Sequence, residues 1–454
     1  MEDKSHQSLM LAHALLPSVS HWSEPPCLGI VLCILSWIKV WSDTWHASQI
    51  QGETTPALTA GGVLTMTANC TFDAFRNSKG ADTAEAIQKA IGELVRLNPT
   101  LKGVLQPGYF TIVQDLYTQA HAHQDSLHKL VTAISQIVFK NSAATLGCGA
   151  EFSELIAAVC KENYPHVRAL APLCAKLLAP QEGELVLDPA CGQGYLLLAC
   201  AQALAESSTT KSATKSASLH QHGMAHDVRQ WSLTKMLLSL SGLPHHHILH
   251  DNPLLQPFAN LTEAERALAL GGADMVTMAI PADNWPWCNR DAFLQQDPRY
   301  PAFVPSDSRL ALVLQGVAAL KPQGGRMALI MPNHVLTSSD GEALCQHLVQ
   351  NNLLDAVISL TGHAGQVLLI IRRQKSHTHI AFIQVPGSGA PGIASALQAW
   401  QRYQARQTDP CLICCDQNTV AAHHYQLDWQ AYSQAVAALY GQPMTNSAHL
   451  HPAH

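Results

Sequence analysis

The sequence predicts an α/β fold in which a mostly parallel sheet follows an all-helical domain. Before about residue 150 the apolar residues recur at helical spacing, and after it short apolar runs alternate with helical patterns. The chain has 454 residues, 47% of them hydrophobic and 13% charged, which is a globular composition with room for several domains. We predict a helical domain over 1–150, a sheet domain over 151–390 and a helical or irregular tail over 391–454.

Two stretches justify the helical assignment of the first 150 residues. "CLGIVLCILSWI", Cys27–Ile38, is shorter than the roughly 18 apolar residues of a membrane span. It therefore predicts a buried core helix and no membrane partner. "DTAEAIQKAIGELVRLNP" has Asp82 and Glu85 at capping-box spacing and stops at Asn98-Pro99, which predicts an amphipathic helix.

The region after residue 150 alternates between the two element types. Its predicted strands are Leu185–Leu187, the strand end in "HGMAHD", and the runs "HHILHDN", "ADMVTMAIP", "RMALIMP", "LLDAVISL", "GQVLLIIRR" and "HIAFIQV". Helical patterns follow the first, second and fourth of these strands, in "YLLLACAQAL", "VRQWSLTKMLLSLSG" and "RLALVLQGVAAL". Strands separated by helices predict a parallel sheet that is covered on both faces.

Charge and cysteine usage limit the functional classes. A formal net charge of −6 argues against a surface coated in basic charge for unspecific nucleic-acid binding, although a local basic groove remains compatible with it. Thirteen scattered cysteines and a polar N-terminus without signal-peptide architecture predict a cytoplasmic protein with reduced thiols. The 25 histidines show no paired metal-ligand spacing, so no metal site is predicted.

One turn carries the strongest chemical signal. "LVLDPACGQGY" places Asp188 at the end of a strand, then Pro189, Ala190 and Cys191, and then two glycines, Gly192 and Gly194, before a helix. Such a turn allows a ligand to approach backbone amides at a helix N-terminus. Gly-x-Gly alone is also typical of an ordinary tight turn. The whole word "DPACGQG" resembles the S-adenosylmethionine loop of adenine-specific DNA methyltransferases.

The resemblance extends from about residue 25 to residue 430, in consistent order. "NPTLKGVL", "WSLTKMLLSLSG", "PSDSRLALVLQGVAALKPQGGRMALIMPNHVL" and "LLDAVISL" are similar to the modification subunit of type I restriction-modification systems. This resemblance implies a Rossmann-like methyltransferase domain over 151–390 with S-adenosylmethionine as cofactor. It also implies DNA, a specificity subunit and a restriction subunit as partners. By the same resemblance, Asp188 accepts from the methionine amino group and the glycines make room for the cofactor.

Two cofactor positions depart from the family pattern. An acid at the end of the second strand should bind the ribose hydroxyls, but Ala225 stands there, with Asp227 two residues later on the same face of an extended chain. An acid after the third strand should bind the cofactor adenine, and Asn252 replaces it with one acceptor oxygen. We expect Asp227 to bind the ribose hydroxyls and Asn252 to bind the cofactor adenine in place of these acids.

The target-base motif departs further. The family has Asn/Asp-Pro-Pro-aromatic after the fourth strand, where the first side chain accepts from the target amine and the aromatic ring stacks on the flipped base. These positions fall on Ile280, Pro281, Ala282 and Asp283. Loss of one preorganised polar contact lowers a rate on the order of 100- to 1,000-fold. A shifted alignment would use Asp283 or Asn284 with Trp285 or Trp287, but core or loop packing of both tryptophans is favoured.

A further family element, aromatic-Thr-Pro before the cofactor loop, is reduced here to Tyr164 and Pro165 in "ENYPHV". The residues thus favour a methyltransferase relative impaired or inactive in methyl transfer. The alternative is an active adenine methyltransferase that works with a specificity subunit. A methyltransferase acting on something other than DNA is a weaker third reading, because it gives the helical domain no evident use.

Overall fold

Nine strands form one mixed sheet in the order β3-β2-β1-β4-β5-β7-β6-β8-β9. The computed structural model describes residues 28–50, 64–79, 82–119, 126–139, 146–160, 165–207, 219–256, 258–281, 283–287, 296–300, 303–363 and 365–433. The strands are β1 Leu185–Asp188, β2 His220–Ala225, β3 Ile248–His250, β4 Met275–Ala279, β5 Arg326–Pro332, β6 Leu354–Leu360, β7 Gln366–Arg372, β8 Ile380–Val385 and β9 Leu412–Cys415.

Fifteen α-helices lie in these described ranges. They are α1 Leu28–Ile50, α2 Asp73–Arg76, α3 Asp82–Leu97, α4 Gly108–Gln119, α5 Ser126–Ser135, α6 Leu146–Val159, α7 Pro165–Leu178, α8 Tyr195–Ser207, α9 Val228–Leu240, α10 Glu263–Ala269, α11 Ser308–Ala319, α12 Asn333–Leu336, α13 Ser339–Gln350, α14 Gly389–Gln404 and α15 Gln417–Ala422. Their alternation with the strands confirms the predicted fold class, an α/β sheet preceded by helices.

The strand β1 is the third of the nine strands from one edge of the sheet. It pairs in parallel with β2 and with β4, and β4 pairs in parallel with β5. Val186 of β1 is opposite Gln221 on one side and Met275 on the other. Parallel strands therefore lie on both sides of β1. The carboxyl ends of β1, β2, β4 and β5 lie at the same edge of the sheet.

The second half of the sheet mixes strand directions. β7 pairs antiparallel with both β5 and β6, and β8 pairs in parallel with β6. The strand β9 pairs antiparallel with β8, from Ile380 opposite Cys415 to Ile383 opposite Leu412. The prediction of a helical or irregular tail over 391–454 was therefore wrong for Leu412–Cys415. "LICC" is too short and too uniformly apolar to show a period of two, and only its pairing with β8 makes it a strand.

The chain divides into two compact units, and the second holds most of the sheet. This second unit consists of Tyr164–Cys191, Tyr195–Ala225 and Asp251–His454. Two groups of helices pack on its strands, α7, α8 and α14 in one group and α11, α13 and α15 in the other. Fully buried side chains such as Met278, Leu312 and Leu329 form its core, which explains the nearly continuous apolar strands.

The first unit comprises Met1–Asn163, Gly192–Gly194 and His226–His250. Its central helix α1 packs against α5, α6 and α9. At 23 residues α1 is long and apolar enough to cross a membrane, but 72% of its most apolar window is buried inside the protein. Its Trp37 is fully buried and donates from Nε1 to Ser239 Oγ at 2.9 Å. The prediction of a buried core helix is confirmed, although the helix is longer than the apolar run that suggested it.

Candidate functional site

Asp188 ends β1 with a carboxylate that is wholly buried. Its Oδ1 accepts from the backbone amide of Ala190 at 3.1 Å, and its Oδ2 accepts from Thr277 Oγ1 at 3.3 Å. Burial raises the pKa of Asp188 to about 7, against the lowering effect of these two hydrogen bonds. Each oxygen keeps a second lone pair, so the carboxylate retains the capacity to accept from a further donor.

Thr277 was not among the residues predicted from the sequence. It lies on β4 and is fully buried, and its hydroxyl holds one oxygen of Asp188. A signal existed, because Thr277 is the one polar residue in the strand "MVTMA". A hydroxyl inside an otherwise apolar buried strand needs a hydrogen-bond partner. Thr277 therefore indicates a polar side chain on an adjacent strand.

The two glycines of the turn both adopt a left-handed backbone, with φ of +54° at Gly192 and +84° at Gly194. Thr234 of α9 donates from Oγ1 to the carbonyl of Gly192 at 2.7 Å. A Cβ at Gly194 would lie 2.9 Å from Thr234 Cγ2, too close for a side chain. Both glycines are therefore required by the turn itself, and Thr234 fixes the turn in place.

Within the second unit, the turn is also tied to the end of β2. The amide of Cys191 donates to the carbonyl of Met224 at 2.9 Å, and the side chains of Pro189 and Cys191 are buried. The turn that the sequence singled out is thus anchored on both of its flanks by hydrogen bonds, and α8 starts directly after it at Tyr195.

Asp227 caps the N-terminus of α9. Its Oδ1 accepts from the amides of Arg229 at 2.8 Å and Gln230 at 3.1 Å, and its Oδ2 accepts from Arg229 Nη2 at 3.0 Å. Burial alone would raise its pKa, but the hydrogen bonds from Arg229 and Gln230 outweigh that effect and lower it. Ala225, the last residue of β2, is buried. The carboxylate proposed for the ribose is thus already engaged in helix capping.

Asn252 uses both ends of its side-chain amide within the protein. Its Nδ2 donates to the carbonyl of Pro286 at 2.9 Å, and its Oδ1 accepts from the amide of Leu254 at 3.0 Å. The side chain is buried. Asn252 therefore joins the chain after β3 to the segment that follows β4, a connection that an aspartate could not make because a carboxylate has no proton to donate.

The first position of the target-base motif belongs to the core. Ile280 is 4% exposed, lies in the core cluster of the second unit, and donates its amide to the carbonyl of Ile330 at 3.1 Å. Its side chain has no acceptor atom. Pro281 is half-buried and Asp283 is exposed, while Ala282 lies outside the described residues.

The tryptophans after this motif pack against the core. Trp285 and Trp287 are both partly buried on the core cluster, and the ring of Trp287 lies 5.7 Å from that of Tyr300. The amide of Trp285 donates to Ser308 Oγ at 2.9 Å, and Ser308 Oγ donates to Asn284 Oδ1 at 3.1 Å. The predicted packing role of both tryptophans is confirmed.

The last sequence element before the turn is only partly described. Tyr164 lies outside the described residues, and Pro165 is the first residue of α7. The structure thus brings Asp188, Thr277 and the start of the glycine turn together by direct hydrogen bonds. It gives Asp227 and Asn252 separate partners within the protein.

Known structures share this architecture. The methyltransferase subunit of a type I restriction-modification system from Streptococcus thermophilus matches 93% of this chain and 98% of its own, at 15% identity and a TM-score of 0.72. A component of a type I restriction-modification complex matches 94% of this chain and 90% of its own length, at 15% identity and a TM-score of 0.64. A modification subunit assigned to a type I restriction enzyme from Vibrio vulnificus matches 91% of this chain and 92% of its own length, at 15% identity and a TM-score of 0.56.

At such identity these similarities establish the fold. No curated protein matches the sequence. The family model described as N-6 DNA methylase matches residues 164–389, which run from α7 to the start of α14 and include the glycine turn. Through residues 164–389 the chain therefore belongs to the N-6 DNA methylase family, and it has the fold of a type I restriction-modification methyltransferase subunit.

Proposed function

We propose that this protein is a methyltransferase subunit of a type I system that keeps the cofactor turn but is impaired or inactive in methyl transfer. The observation that carries the proposal is the burial of Ile280, which occupies the position where an amide or carboxylate oxygen should accept from the target amine. A buried isoleucine cannot orient the nitrogen lone pair of an adenine toward a methyl donor.

The residues of the turn fit the amino-acid end of S-adenosylmethionine. Asp188 has acceptor capacity left after its bonds to Ala190 and Thr277, and the left-handed glycines keep side chains away from the backbone amides before α8. The ribose and adenine positions fit less well, because Asp227 and Asn252 are engaged elsewhere. When bound, this cofactor would supply an electrophilic methyl group, and Asp188 would hold its ammonium group.

The first test is a calorimetric titration of S-adenosylmethionine into the purified protein. We expect binding in the wild type and loss of binding in Asp188→Ala. Asp188→Asn is the matched control, since it preserves the shape and one acceptor but removes the charge, and it should weaken binding by about 1.5–3 kcal/mol. Equal binding by all three proteins would contradict the assignment of the turn.

The second test addresses methyl transfer. With a cognate specificity subunit and labelled cofactor, we expect the wild type to methylate duplex DNA at least about 100-fold more slowly than the triple variant Ile280→Asn, Ala282→Pro, Asp283→Phe. Ile280→Val serves as a control because it changes the core without adding an acceptor. Transfer by the wild type at the rate of the triple variant would favour the active alternative.

We propose DNA, a specificity subunit and a restriction subunit as partners, in a cytoplasmic complex. The support comes from the structural neighbours, since one of them was described in the assembly of a type I restriction-modification system. Co-purification of this chain with a specificity subunit, followed by a DNA-binding measurement, tests the first two of these partners.

A further inference from the structure

Two cysteines that lie 127 positions apart in the sequence face each other inside the first unit. Cys33, in the second turn of α1, is fully buried, and Cys160, directly after α6, is half-buried. Their Sγ atoms are 3.9 Å apart, the distance of a weak hydrogen bond between two thiols. The two reduced side chains are therefore in direct contact, and neither belongs to the glycine turn or to the target-base motif.

The contact between the sulfurs follows from a close approach of the two helices. Gly29 lies one turn before Cys33 on the same face of α1. A Cβ at Gly29 would lie 2.4 Å from the carbonyl oxygen of the last residue of α6 and 3.2 Å from Cys160 Sγ. At the other end of the helix, a Cβ at Gly149 would lie 1.7 Å from Ser241 Oγ, just after α9. Both ends of α6 are thus packed too tightly to accept a side chain at these glycines, and this packing places Cys160 against Cys33.

A disulfide between these cysteines requires only a short movement of the sulfurs. The Sγ–Sγ distance has to fall from 3.9 Å to about 2.05 Å, and each sulfur moves by rotation about its own Cα–Cβ bond. The exposure of the two thiols sets the order of reaction. Cys160 is the thiol that an oxidant in solution can reach. Burial, together with the hydrogen bond to Cys160, raises the pKa of the Cys33 thiol, so Cys33 reacts second.

We propose that Cys33 and Cys160 form a site of oxidative modification, at which a hydroperoxide converts the two thiols into a disulfide without rearrangement of α1 or α6. The Cys160 sulfur attacks the O–O bond of hydrogen peroxide, which breaks, so that Cys160 becomes a sulfenic acid and one water leaves. The Cys33 sulfur then attacks the sulfenic sulfur. The S–S bond forms, the S–O bond breaks, and the hydroxyl group leaves as a second water with the proton of Cys33.

In this reaction the two thiols lose two electrons, and the peroxide is reduced to water. A dithiol reductant reverses the modification by thiol–disulfide exchange, so a reducing environment keeps both cysteines as thiols. The site is independent of the methyltransferase role proposed above, because its chemistry uses neither the cofactor turn nor DNA.

The test exposes the reduced, full-length protein to a small molar excess of hydrogen peroxide and then blocks the remaining thiols in denaturant. Trypsin releases Cys33 in peptide 5–39 and Cys160 in peptide 141–161. We expect mass spectrometry to find these two peptides cross-linked, and we expect dithiothreitol to separate them. Absence of the cross-link from the peroxide-treated wild type would overturn the proposal.

Variants identify the bonded pair, because each of these peptides contains a second cysteine. Cys33→Ala and Cys160→Ser should each abolish the cross-link. Cys27→Ser and Cys148→Ala are the matched controls in the same two peptides, and both should retain it. A cross-link that persists in Cys160→Ser would assign the bond to another pair of cysteines, and would also overturn the proposal.

Urea unfolding shows whether the native fold accommodates the bond. A link between residues 127 positions apart constrains the unfolded chain far more than the folded one. The oxidised wild type should therefore have a higher urea midpoint than the reduced wild type, while the midpoint of Cys160→Ser should not respond to peroxide. A lower midpoint in the oxidised wild type would show that α1 and α6 have to rearrange to form the bond, contrary to the proposal.

Discussion

The chemistry of the turn depends on one buried carboxylate. Asp188 has no solvent contact, and the described residues donate two hydrogen bonds to it, neither of them from a cation. Burial therefore dominates, and its pKa rises to about 7 from a usual value near 4. With a pKa of about 7, Asp188 is partly protonated at neutral pH.

This pKa predicts a stability profile. Between about pH 4 and pH 7 the folded chain holds a proton on Asp188 that the unfolded chain has lost, so the free energy of unfolding falls as the pH rises through this window. Asp188→Asn removes this contribution. In urea unfolding from pH 4.5 to 7.5, the free energy of unfolding of the variant should rise relative to that of the wild type by up to about 1.4 kcal/mol per pH unit.

The control for this measurement is Asp283→Asn, the same substitution at an exposed carboxylate. Parallel stability curves for Asp188→Asn and the wild type over the whole pH range would contradict the raised pKa.

At the scale of elements, the side chain of Asn252 joins the chain after β3 to the chain after β4. Asn252 accepts from Leu254 in its own loop and donates to the carbonyl of Pro286, next to the packed tryptophans. The bond to Pro286 needs a donor, which an amide has and a carboxylate lacks. The replacement of the family's acid at this position thus fits a structural role, in which the segment 283–287 is held against the core.

Substitutions at Asn252 should separate its two bonds. We expect Asn252→Ala to lower the free energy of unfolding by about 1–3 kcal/mol. Asn252→Asp should be at least as destabilising at pH 7, because its carboxylate would face the Pro286 carbonyl. At pH 4 the protonated acid can donate, so the deficit of the aspartate variant should shrink while that of the alanine variant stays constant.

Hydrogen exchange of the amides in 283–287 provides the matching local measurement, with faster exchange expected in both variants. Unchanged exchange at these amides in Asn252→Ala would show that the segment is held by the tryptophans alone.

At the scale of the whole molecule, one arginine joins three parts of the second unit. Arg326 at the start of β5 pairs with Glu184 through Nη1–Oε1 at 2.9 Å and Nη2–Oε2 at 2.7 Å. It also donates to the carbonyls of Leu178 and Ala179 at the end of α7. Bidentate geometry and burial make this pair stronger than an exposed ion pair. Arg326 thus links β5, the chain before β1 and α7.

Removal of this arginine should be costly. We expect Arg326→Met to lower the free energy of unfolding by about 3–5 kcal/mol, because it leaves the carboxylate of Glu184 without its cationic partner and removes a donor from two carbonyls. Lys321→Met is the matched control. Lys321 is 43% exposed and pairs with Asp274 at 2.6 Å, so its loss should cost about 1 kcal/mol or less. Equal effects of the two variants in urea unfolding would contradict this ranking.

The sequence by itself determined the alternation of strands and helices, the strand-turn-helix around Asp188 and the loss of an acceptor at Ile280. These features are local: periodicity, glycine content and side-chain chemistry decide them within a few residues.

Only the tertiary structure decided which partners the polar residues have. Asp188 with Thr277, Asn252 with Pro286 and Thr234 with Gly192 are pairs separated by 34 to 89 positions in the chain. The strand β9 likewise exists because β8 offers an open edge. The pKa of a carboxylate and the role of an amide depend on which groups surround them in space, and spacing along the chain does not determine those groups.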